Sequence, residues 1–369
     1  MATETHTAVV LEAVGQPVVL KTVPVPKANL GSAVIKVLAT ALSPNTKTVY
    51  GGHMGVGALR TPLTPGFASI GRVHSVGPDA TSLKPGQLVM YDFWTSSRDD
   101  PDDSILAGYM GGVPQLEDTW NKGTLAEYAE VPLERVWPLN EDLLCNTLKY
   151  SPADLSYIGT VCVPLGGLLE IDVRPGDSVI VAPATGTFGG AAVPAALSLG
   201  AKVVACGRNE KMLAKMTDTF GASGRFLTVK LSGDTDRDTA AIKAAAGGKG
   251  ADRYIDFVPP QAAGSKHLLS CLGALRPHGR AALMGLVFSN VEIPYAFVML
   301  KGIRIQGRYM FDRWQGEQAI KLVETGNLVL GDRPLSGMKM IGFKLRDIHR
   351  AIDASSEQHG WGSMVVVEP

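Results

Sequence analysis

Residues 179–211 read VIVAPATGTFGGAAVPAALSLGAKVVACGRNEK, and this stretch decides the fold of the chain. A short apolar run leads into a loop that contains Gly186, Gly189 and Gly190, and small residues then precede a second apolar run. Short apolar runs bounded by turn residues are typical of buried strands, and the small residues between them fit a closely packed helix. The stretch therefore predicts a strand, a tight turn, a helix and a second strand parallel to the first.

The tight turn has nearly the spacing of a dinucleotide-binding loop, A-x-G-x-x-G, with alanine in place of the first glycine. Glycines at such places make the turn, let the backbone approach a pyrophosphate and let the helix pack on the strand. The N–H groups and the dipole at the helix N-terminus then favour phosphate. The alternative is a strand-to-helix turn that binds nothing. The residues expected to contact the cofactor are Ala184, Thr185, Gly186, Thr187, Phe188 and Gly189.

The end of the second apolar run indicates which nucleotide is bound. NAD sites place an acidic residue there to hold the ribose 2′-hydroxyl, whereas this chain has Gly207, Arg208 and Asn209, followed by Lys211. No carboxylate repels a 2′-phosphate, and the planar donors of arginine suit one. These four residues predict NADP(H). The alternative is that Arg208 is a solvated surface charge.

Composition limits the classes of partner. The 369 residues include 35 Lys and Arg and 35 Asp and Glu, so no excess of basic charge indicates nucleic acid. No apolar run is expected to span a membrane, and residues 1–10 do not resemble a signal peptide. Neither a disulfide framework nor a structural zinc site is expected, because the cysteines are scattered. We expect a cytoplasmic protein with a small-molecule substrate.

Two patterns divide the chain. Residues 7–91 show short strand patterns separated by Gly and Pro, which predict a mainly β domain, and a polar loop follows at 95–122. From Asp177 onward, apolar strands of about five residues alternate with helical stretches. This alternation predicts an α/β fold with a doubly wound parallel sheet.

Five segments give the chain a resemblance to the medium-chain dehydrogenase/reductase superfamily. They are PGFASIGRVHSVGPDATSLKPGQLV (65–89), KGTLAEYAEVP (122–132), VRPGDSVIVAPATGTFGGAA (173–192), LGAKVVACGRNEK (199–211) and LRPHGRAALMG (275–285). The resemblance implies a GroES-like catalytic domain at 1–163 and 306–369, a Rossmann domain at 164–305, and an active site in the cleft between them. It also implies a cofactor contact at Gly285 and a homodimer formed through VEIPYAFVMLKGIRIQG (291–307).

The chain departs from the zinc alcohol dehydrogenases that it resembles. Ser43 stands at the place of their first cysteine ligand, Phe67 replaces the histidine, and only Cys162 lies where the third ligand would be. One soft ligand facing a serine and a phenylalanine does not hold zinc. The chain is therefore similar to zinc-independent quinone and enoyl reductases. Residues 96–120 resemble loops of fungal relatives linked to secondary metabolism.

Hydride transfer is the chemistry of the cofactor, so the protein must position the substrate, stabilise an oxyanion and deliver a proton. In SPNTKTVYGGH (43–53), the resemblance implies that Tyr50 is the acid, because similar reductases often have a tyrosine in this helix, and that Asn45 donates to the substrate oxygen. Lys47 and His53 are further candidates. The alternatives are that Tyr50 only packs against its neighbours, that Asn45 stabilises a turn, and that His53 is an ordinary loop residue.

Aromatic residues predict an apolar pocket for a flat or greasy substrate. They are Phe67 and Trp94, and Trp120 is a weaker candidate. For Trp94 and Trp120 the alternative is that a tryptophan in a loop packs on the core. The expected reaction is NADPH-dependent reduction of an activated C=C, in an α,β-unsaturated carbonyl or a quinone. The alternatives are reduction of C=O or of an imine, and an NADP-binding protein without turnover.

Overall fold

A computed structural model describes residues 4–54, 59–120, 122–358 and 360–369, which contain seventeen strands and ten α-helices. The strands are β1 (Thr5–Val10), β2 (Val19–Pro24), β3 (Ser32–Ala41), β4 (Ser69–Val76), β5 (Leu88–Tyr91), β6 (Trp94–Ser96), β7 (Ser104–Leu106), β8 (Tyr128–Pro132), β9 (Val136–Pro138), β10 (Ser178–Ala182), β11 (Lys202–Gly207), β12 (Phe226–Lys230), β13 (Ala251–Asp256), β14 (Leu275–Leu283), β15 (Arg304–Gly307), β16 (Lys339–Lys344) and β17 (Ser363–Glu368). The helices are α1 (Thr46–Tyr50), α2 (Pro114–Trp120), α3 (Pro152–Glu170), α4 (Thr187–Ser198), α5 (Glu210–Phe220), α6 (Thr235–Ala245), α7 (His267–Gly273), α8 (Tyr295–Lys301), α9 (Arg313–Glu324) and α10 (Ile348–Glu357).

The chain forms two compact units. The first unit comprises Met1–Gly159, Lys339–His359 and Ser363–Pro369, and the second comprises Thr160–Met338 and Gly360–Gly362. The division at 305/306 implied by the family resemblance differs from the observed end of the second unit. Contacts of α9 explain the difference, because the buried amide of Gln315 donates to the carbonyl oxygen of Gly166 in α3 at 3.2 Å.

The second unit is built on a six-stranded sheet with the order β12-β11-β10-β13-β14-β15. Every neighbouring pair in this sheet is parallel, with Val179 opposite both Val203 and Arg253. All five residues of β10 are buried, as expected for the central strand of a parallel sheet. The strand order confirms the predicted doubly wound fold, in which ligands bind beyond the carboxyl ends of the strands where the order reverses.

The first unit is mainly β, as predicted. One sheet has the order β16-β17-β3-β4-β5-β9, and β8 also pairs with β3. Its pairs are antiparallel except β16 with β17, and smaller antiparallel pairs form between β1 and β2 and between β6 and β7. Alternate residues of β3 and β4, including Ile35, Val37 and Val73, contribute to a buried apolar cluster.

Helix α3 corrects one expectation. By length and composition alone it is apolar enough to cross a membrane, although no such stretch was expected from the sequence. The window that meets this test is 67% buried inside the protein. Core helices of globular proteins have the same composition because they are apolar on most sides.

Candidate functional site

The turn after β10 brings backbone and helix end together as a nucleotide site requires. Gly186 is the N-cap residue of α4, and no side chain caps this helix end, so the first N–H groups have no partner within the helix. A methyl group on Gly189 would lie 1.9 Å from the carbonyl oxygen of Pro183, so helix and strand pack this closely only around glycine. A methyl group on Gly186 would meet no protein atom within 4 Å. Gly189 thus serves packing, while Gly186 borders open space.

The other residues of the predicted loop have distinct surroundings. Ala184 is fully buried, and its N–H donates to the carbonyl oxygen of Cys206 at 2.8 Å. The carbonyl oxygen of Thr185 accepts the N–H of Trp361 at 3.1 Å. Thr187 begins α4, and the neighbouring ring of Phe188, 42% exposed, stacks on Phe257 with 6.2 Å between centroids.

The end of β11 presents positive charge. Arg208 and Lys211 are exposed and make no hydrogen bond or ion pair through their side chains with any residue in the described ranges. The acidic Glu210 between them pairs with Lys230 at 2.9 Å. Asn209 has a local role, because its side chain caps α5 by accepting the N–H of Met212 at 3.1 Å. Gly207 ends β11, and the two cations beside it can pair with a phosphate.

A buried polar network at the end of β13 was not anticipated from the sequence. The carboxylate of Asp256 accepts the hydroxyl of Tyr254 at 2.8 Å and the N–H of Val258 at 3.1 Å, and it lies 3.0 Å from Nε2 of His267. Burial, followed by the charge of Asp256, raises the pKa of Tyr254 well above its ordinary value. A methyl group on Gly285, after β14, would lie 2.6 Å from this carboxylate. The network therefore fixes the backbone at the ligand edge of the sheet.

The first unit contains an aromatic cluster, formed by Tyr50, Phe67, Phe93 and Tyr109. Ring centroids of Phe67 lie 5.0 Å from Tyr109 and 5.8 Å from Phe93, and Tyr50 meets Tyr109 edge-on at 6.1 Å. The hydroxyl groups of Ser43 and Tyr109 lie 3.2 Å apart. Ser43 and Phe67 thus share a common neighbour, Tyr109, which sequence reasoning missed. The signal for Tyr109 was weak: it is one aromatic residue in a long polar loop.

Tyr50 has a structural role in the fold. Its hydroxyl donates to the carbonyl oxygen of Gly108 at 2.8 Å, and burial raises its pKa well above the ordinary value. Gly108 has a φ of +71°, and a methyl group there would lie 2.8 Å from the carbonyl oxygen of Thr64. Tyr50 therefore holds a tight turn in which only glycine fits, and this turn positions Tyr109. Its assignment as the acid stays a prediction.

The remaining residues expected at the substrate lie near Ser43 in sequence. Asn45 is exposed, its backbone N–H donates to Oγ of Ser43 at 3.2 Å, and its amide bonds to no described residue. Lys47 pairs with Asp353 at 2.8 Å, and this hydrogen bond raises the pKa of the lysine. His53 is exposed and is held by its backbone N–H to Thr48 at 3.0 Å.

The expected tryptophans have different surroundings. Trp94 lies under the guanidinium of Arg135, 5.2 Å from the ring centroid, and Arg135 forms a buried ion pair with Asp92 at 2.8 Å. Trp120 is half-buried at the end of α2. Phe93, which the sequence did not single out, is the residue of this strand region that contacts Phe67.

The residues at the places of the zinc ligands do not fit a metal. Ser43 supplies a neutral hydroxyl, Phe67 supplies no donor atom, and Cys162 is fully buried in α3 of the second unit. Zinc sites use thiolate, imidazole and carboxylate ligands. Within the described ranges, no three His, Cys, Asp or Glu residues are grouped so that they can hold a metal ion.

Comparison with known proteins agrees with this architecture. Residues 29–141 match the model of the alcohol dehydrogenase GroES-like domain, and residues 188–325 match that of the zinc-binding dehydrogenases. An alcohol dehydrogenase of Rhizobium meliloti is 27% identical over 88% of this chain and 90% of its own, and an L-threonine 3-dehydrogenase of Bacillus velezensis is 26% identical over 83% and 84%.

Solved structures share the fold. A zinc-binding dehydrogenase structure from Sinorhizobium meliloti 1021, determined bound to NADP, has a TM-score of 0.75 and 19% identity over 99% of this chain and 100% of its own. Two family models that fall in the two units, relatives that align over most of their length, and the doubly wound sheet lead to one conclusion. The chain belongs to the medium-chain dehydrogenase/reductase superfamily of oxidoreductases.

Proposed function

We propose that this protein is an NADPH-dependent reductase that acts on an activated C=C without zinc. The observation that carries the proposal is the aromatic cluster, in which Ser43 and Phe67 both contact Tyr109. Such surroundings suit a flat, apolar substrate and offer hydroxyl groups instead of a Lewis acid. The β-carbon of an enone or a quinone accepts hydride without strong Lewis-acid help.

The choice of NADPH rests on the end of β11. Arg208 and Lys211 have no partner among the described residues, and the only acidic side chain between them is paired with Lys230. The 2′-phosphate of NADP(H) would satisfy both cations, whereas NAD(H) would leave them unpaired. A structural relative determined with NADP is consistent with this choice.

When bound, the reduced nicotinamide supplies a hydride; the residues of the chain bind, orient and exclude water. The unpaired N–H groups of the first turn of α4 and the cations at Arg208 and Lys211 would hold the phosphates. The rings of Phe67 and Phe93 shield the hydroxyl of Tyr109, which is 6% exposed. Exclusion of water strengthens a hydrogen bond to a developing oxyanion.

Reduction of C=O is the second candidate. The same pair of hydroxyls, Ser43 and Tyr109, can donate to the oxygen of a carbonyl that becomes an alkoxide. Two relatives to which the chain is similar are named alcohol dehydrogenase and L-threonine 3-dehydrogenase, and these names refer to substrates that carry a hydroxyl group. An α,β-unsaturated aldehyde contains both a C=C and a C=O bond. Its reduction product therefore shows which of the two bonds the protein reduces.

The experiment is reduction of trans-cinnamaldehyde by protein dialysed against a zinc chelator, with NADPH or NADH. We expect NADPH to be consumed and 3-phenylpropanal to form. Cinnamyl alcohol as the product would establish C=O reduction instead. Activity that disappears on dialysis and returns with zinc would refute the metal-free reaction. Tight NADPH binding without any turnover would favour a non-catalytic NADP-binding protein.

We also propose that the chain forms a homodimer through β15 and α8. β15 is an edge strand that pairs with β14, and α8, with the sequence YAFVMLK, has no buried residue. Tyr295, Met299 and Leu300 are 83%, 61% and 77% exposed. An apolar patch next to an unpaired strand edge is typical of an interface between copies.

Light scattering during gel filtration tests this dimer. Leu300→Glu is expected to yield monomers, because a charge would be buried in the interface. Leu227→Glu is the matched control, since Leu227 is 54% exposed on β12 at the opposite edge of the same sheet. A wild-type monomer, or dissociation by the control alone, would refute the proposal.

A further inference from the structure

The two hydroxyls in the aromatic cluster form a unit of their own. Ser43 is half-buried beside α1, and Tyr109 is 6% exposed in the turn after β7. Their oxygens lie 3.2 Å apart, and either can donate to the other. The rings of Phe67 and Phe93 border Tyr109 at 5.0 and 5.9 Å between centroids. The pair therefore has aromatic neighbours, and Ser43 is its more exposed member.

The hydrogen bonds at Ser43 limit the directions in which its proton can point. A serine hydroxyl has one hydrogen and two acceptor lone pairs. The backbone N–H of Asn45 donates to Oγ at 3.2 Å, which occupies one lone pair. When Tyr109 donates to the second lone pair, both acceptor positions of Ser43 are occupied. Its hydrogen can then be donated to a third group, such as a bound ligand. Tyr109 polarises that hydroxyl in the process, because linked hydrogen bonds strengthen one another.

The other tyrosine of the cluster is unsuited to this role. The hydrogen of Tyr50 is engaged by the carbonyl oxygen of Gly108 at 2.8 Å. Tyr50 and Tyr109 are 5% and 6% exposed, so burial does not separate them. The difference is that the proton of Tyr50 is held by a backbone carbonyl oxygen, whereas the hydroxyl of Tyr109 lies beside that of Ser43. Gly108 precedes Tyr109 directly, so Tyr50 acts as a positioning residue for it.

We propose that Ser43 donates a hydrogen bond, and then a proton, to the carbonyl oxygen of the substrate, and that Tyr109 replaces this proton. The inference rests on the proposed function and adds two catalytic groups to it. It also specifies the substrate class: an α,β-unsaturated carbonyl compound with its oxygen at Ser43 and its conjugated part among the rings of Phe67 and Phe93.

The step balances as follows. Hydride from NADPH forms a C–H bond at the β-carbon, and the C=C electron pair shifts so that negative charge reaches the carbonyl oxygen. The O–H bond of Ser43 breaks and a new O–H bond forms on the substrate, giving an enol. The proton of Tyr109 passes to Ser43. After the product leaves, water protonates the phenolate of Tyr109, and the hydroxide formed is released to the solvent. The enol tautomerises to the saturated carbonyl in water.

The test uses Ser43→Ala, Ser43→Thr and Tyr109→Phe in the full-length protein, with Thr48→Ala as a control on the exposed side of α1. We expect Ser43→Ala and Tyr109→Phe each to lower kcat for trans-cinnamaldehyde by about 100-fold, the lower end of what a general acid contributes. The dissociation constant of NADPH should stay within about twofold, as both residues lie outside the second unit. Ser43→Thr keeps the hydroxyl and is expected to restore most of the turnover.

A second measurement needs neither cofactor nor turnover. 4-Nitrophenol mimics an enolate and changes its absorbance when it ionises, so the cofactor-free protein should bind its anion and lower its apparent pKa. Ser43→Ala and Tyr109→Phe are expected to weaken this binding by about tenfold, the loss of one charge-assisted hydrogen bond. Wild-type turnover and wild-type 4-nitrophenol affinity in both variants would overturn the inference.

The two proposals fail differently. A wild-type protein that reduces cinnamaldehyde at a rate insensitive to both substitutions keeps the proposed function and refutes the role of the pair. A wild-type protein that reduces nothing, yet binds the 4-nitrophenol anion through Ser43 and Tyr109, refutes the proposed function and supports the pair as an oxyanion donor. Circular dichroism of each variant excludes misfolding as the cause.

Discussion

The turn after β10 and the aromatic cluster are assembled in opposite ways. Residues of the turn are neighbours in sequence, and one contact, between Gly189 and the carbonyl oxygen of Pro183, sets its geometry. The cluster combines Tyr50, Phe67, Phe93 and Tyr109 with Ser43, which come from separate segments of the first unit. A local site follows from spacing along the chain, whereas a site assembled from distant segments depends on the whole fold.

The first prediction concerns a substitution that disrupts the turn after β10. Gly189→Ala is expected to lower the stability of the second unit by about 3 kcal/mol, because the new methyl group would collide with a backbone oxygen that cannot move aside. Nucleotide binding should be lost with it. Chemical denaturation and a fluorescence titration with NADPH measure the two effects.

Gly186→Ala is the matched control in the same turn. Its methyl group would enter open space, and its φ of −83° is accessible to alanine, so stability should change by less than about 0.5 kcal/mol. NADPH affinity should still fall, because the methyl group would lie at the end of α4 where phosphate is expected. Equal loss of stability in both variants would contradict the distinction between a packing glycine and a ligand-facing one.

The second prediction concerns the charge beside this turn. Arg208→Ala is expected to raise the dissociation constant of NADPH by about 10- to 100-fold, the loss of one or two charge-assisted hydrogen bonds. The constant for NADH should be unaffected, since NADH has no 2′-phosphate. Lys202→Ala at the other end of β11 removes an equal charge as the control. Equal losses for both nucleotides would remove Arg208 from phosphate recognition.

The sequence was informative where structure is local. The doubly wound sheet and the mainly β unit followed from the alternation of strands, helices and turn residues. The metal-free reaction expected from Ser43 and Phe67 stays a prediction. Tyr109 could not be identified, because only the fold brings its loop to Ser43, and a tyrosine in a polar loop has many equivalent explanations. The network of Asp256 and His267 was missed for the same reason, since its members belong to separate elements.

The contacts of a residue in the fold can differ from the role that was predicted for it from the sequence. The family resemblance made Tyr50 the expected acid, because similar reductases often have a tyrosine in this helix. In the fold its hydroxyl donates to the carbonyl oxygen of Gly108. Spacing places a residue on an element, but the direction in which its polar atom points depends on the elements packed against it.

The third prediction, with the smallest effect, separates these two roles of Tyr50. Tyr50→Phe removes the donor to the carbonyl oxygen of Gly108 and should lower stability by about 1 kcal/mol. Turnover should fall much less than in Tyr109→Phe, because the turn is loosened but both hydroxyls of the pair remain. Urea denaturation and cinnamaldehyde kinetics measure the two quantities.

Tyr157→Phe is the matched control for this substitution. Tyr157 is a buried tyrosine of the same unit, and its hydroxyl has no hydrogen-bond partner within the described chain. Removing an unsatisfied buried hydroxyl should leave stability unchanged or raise it by up to about 1 kcal/mol, the opposite sign from Tyr50→Phe. Loss of turnover in Tyr50→Phe at unchanged stability would instead restore Tyr50 as the proton donor. The aromatic cluster would then contain a catalytic group that was identified from the sequence alone.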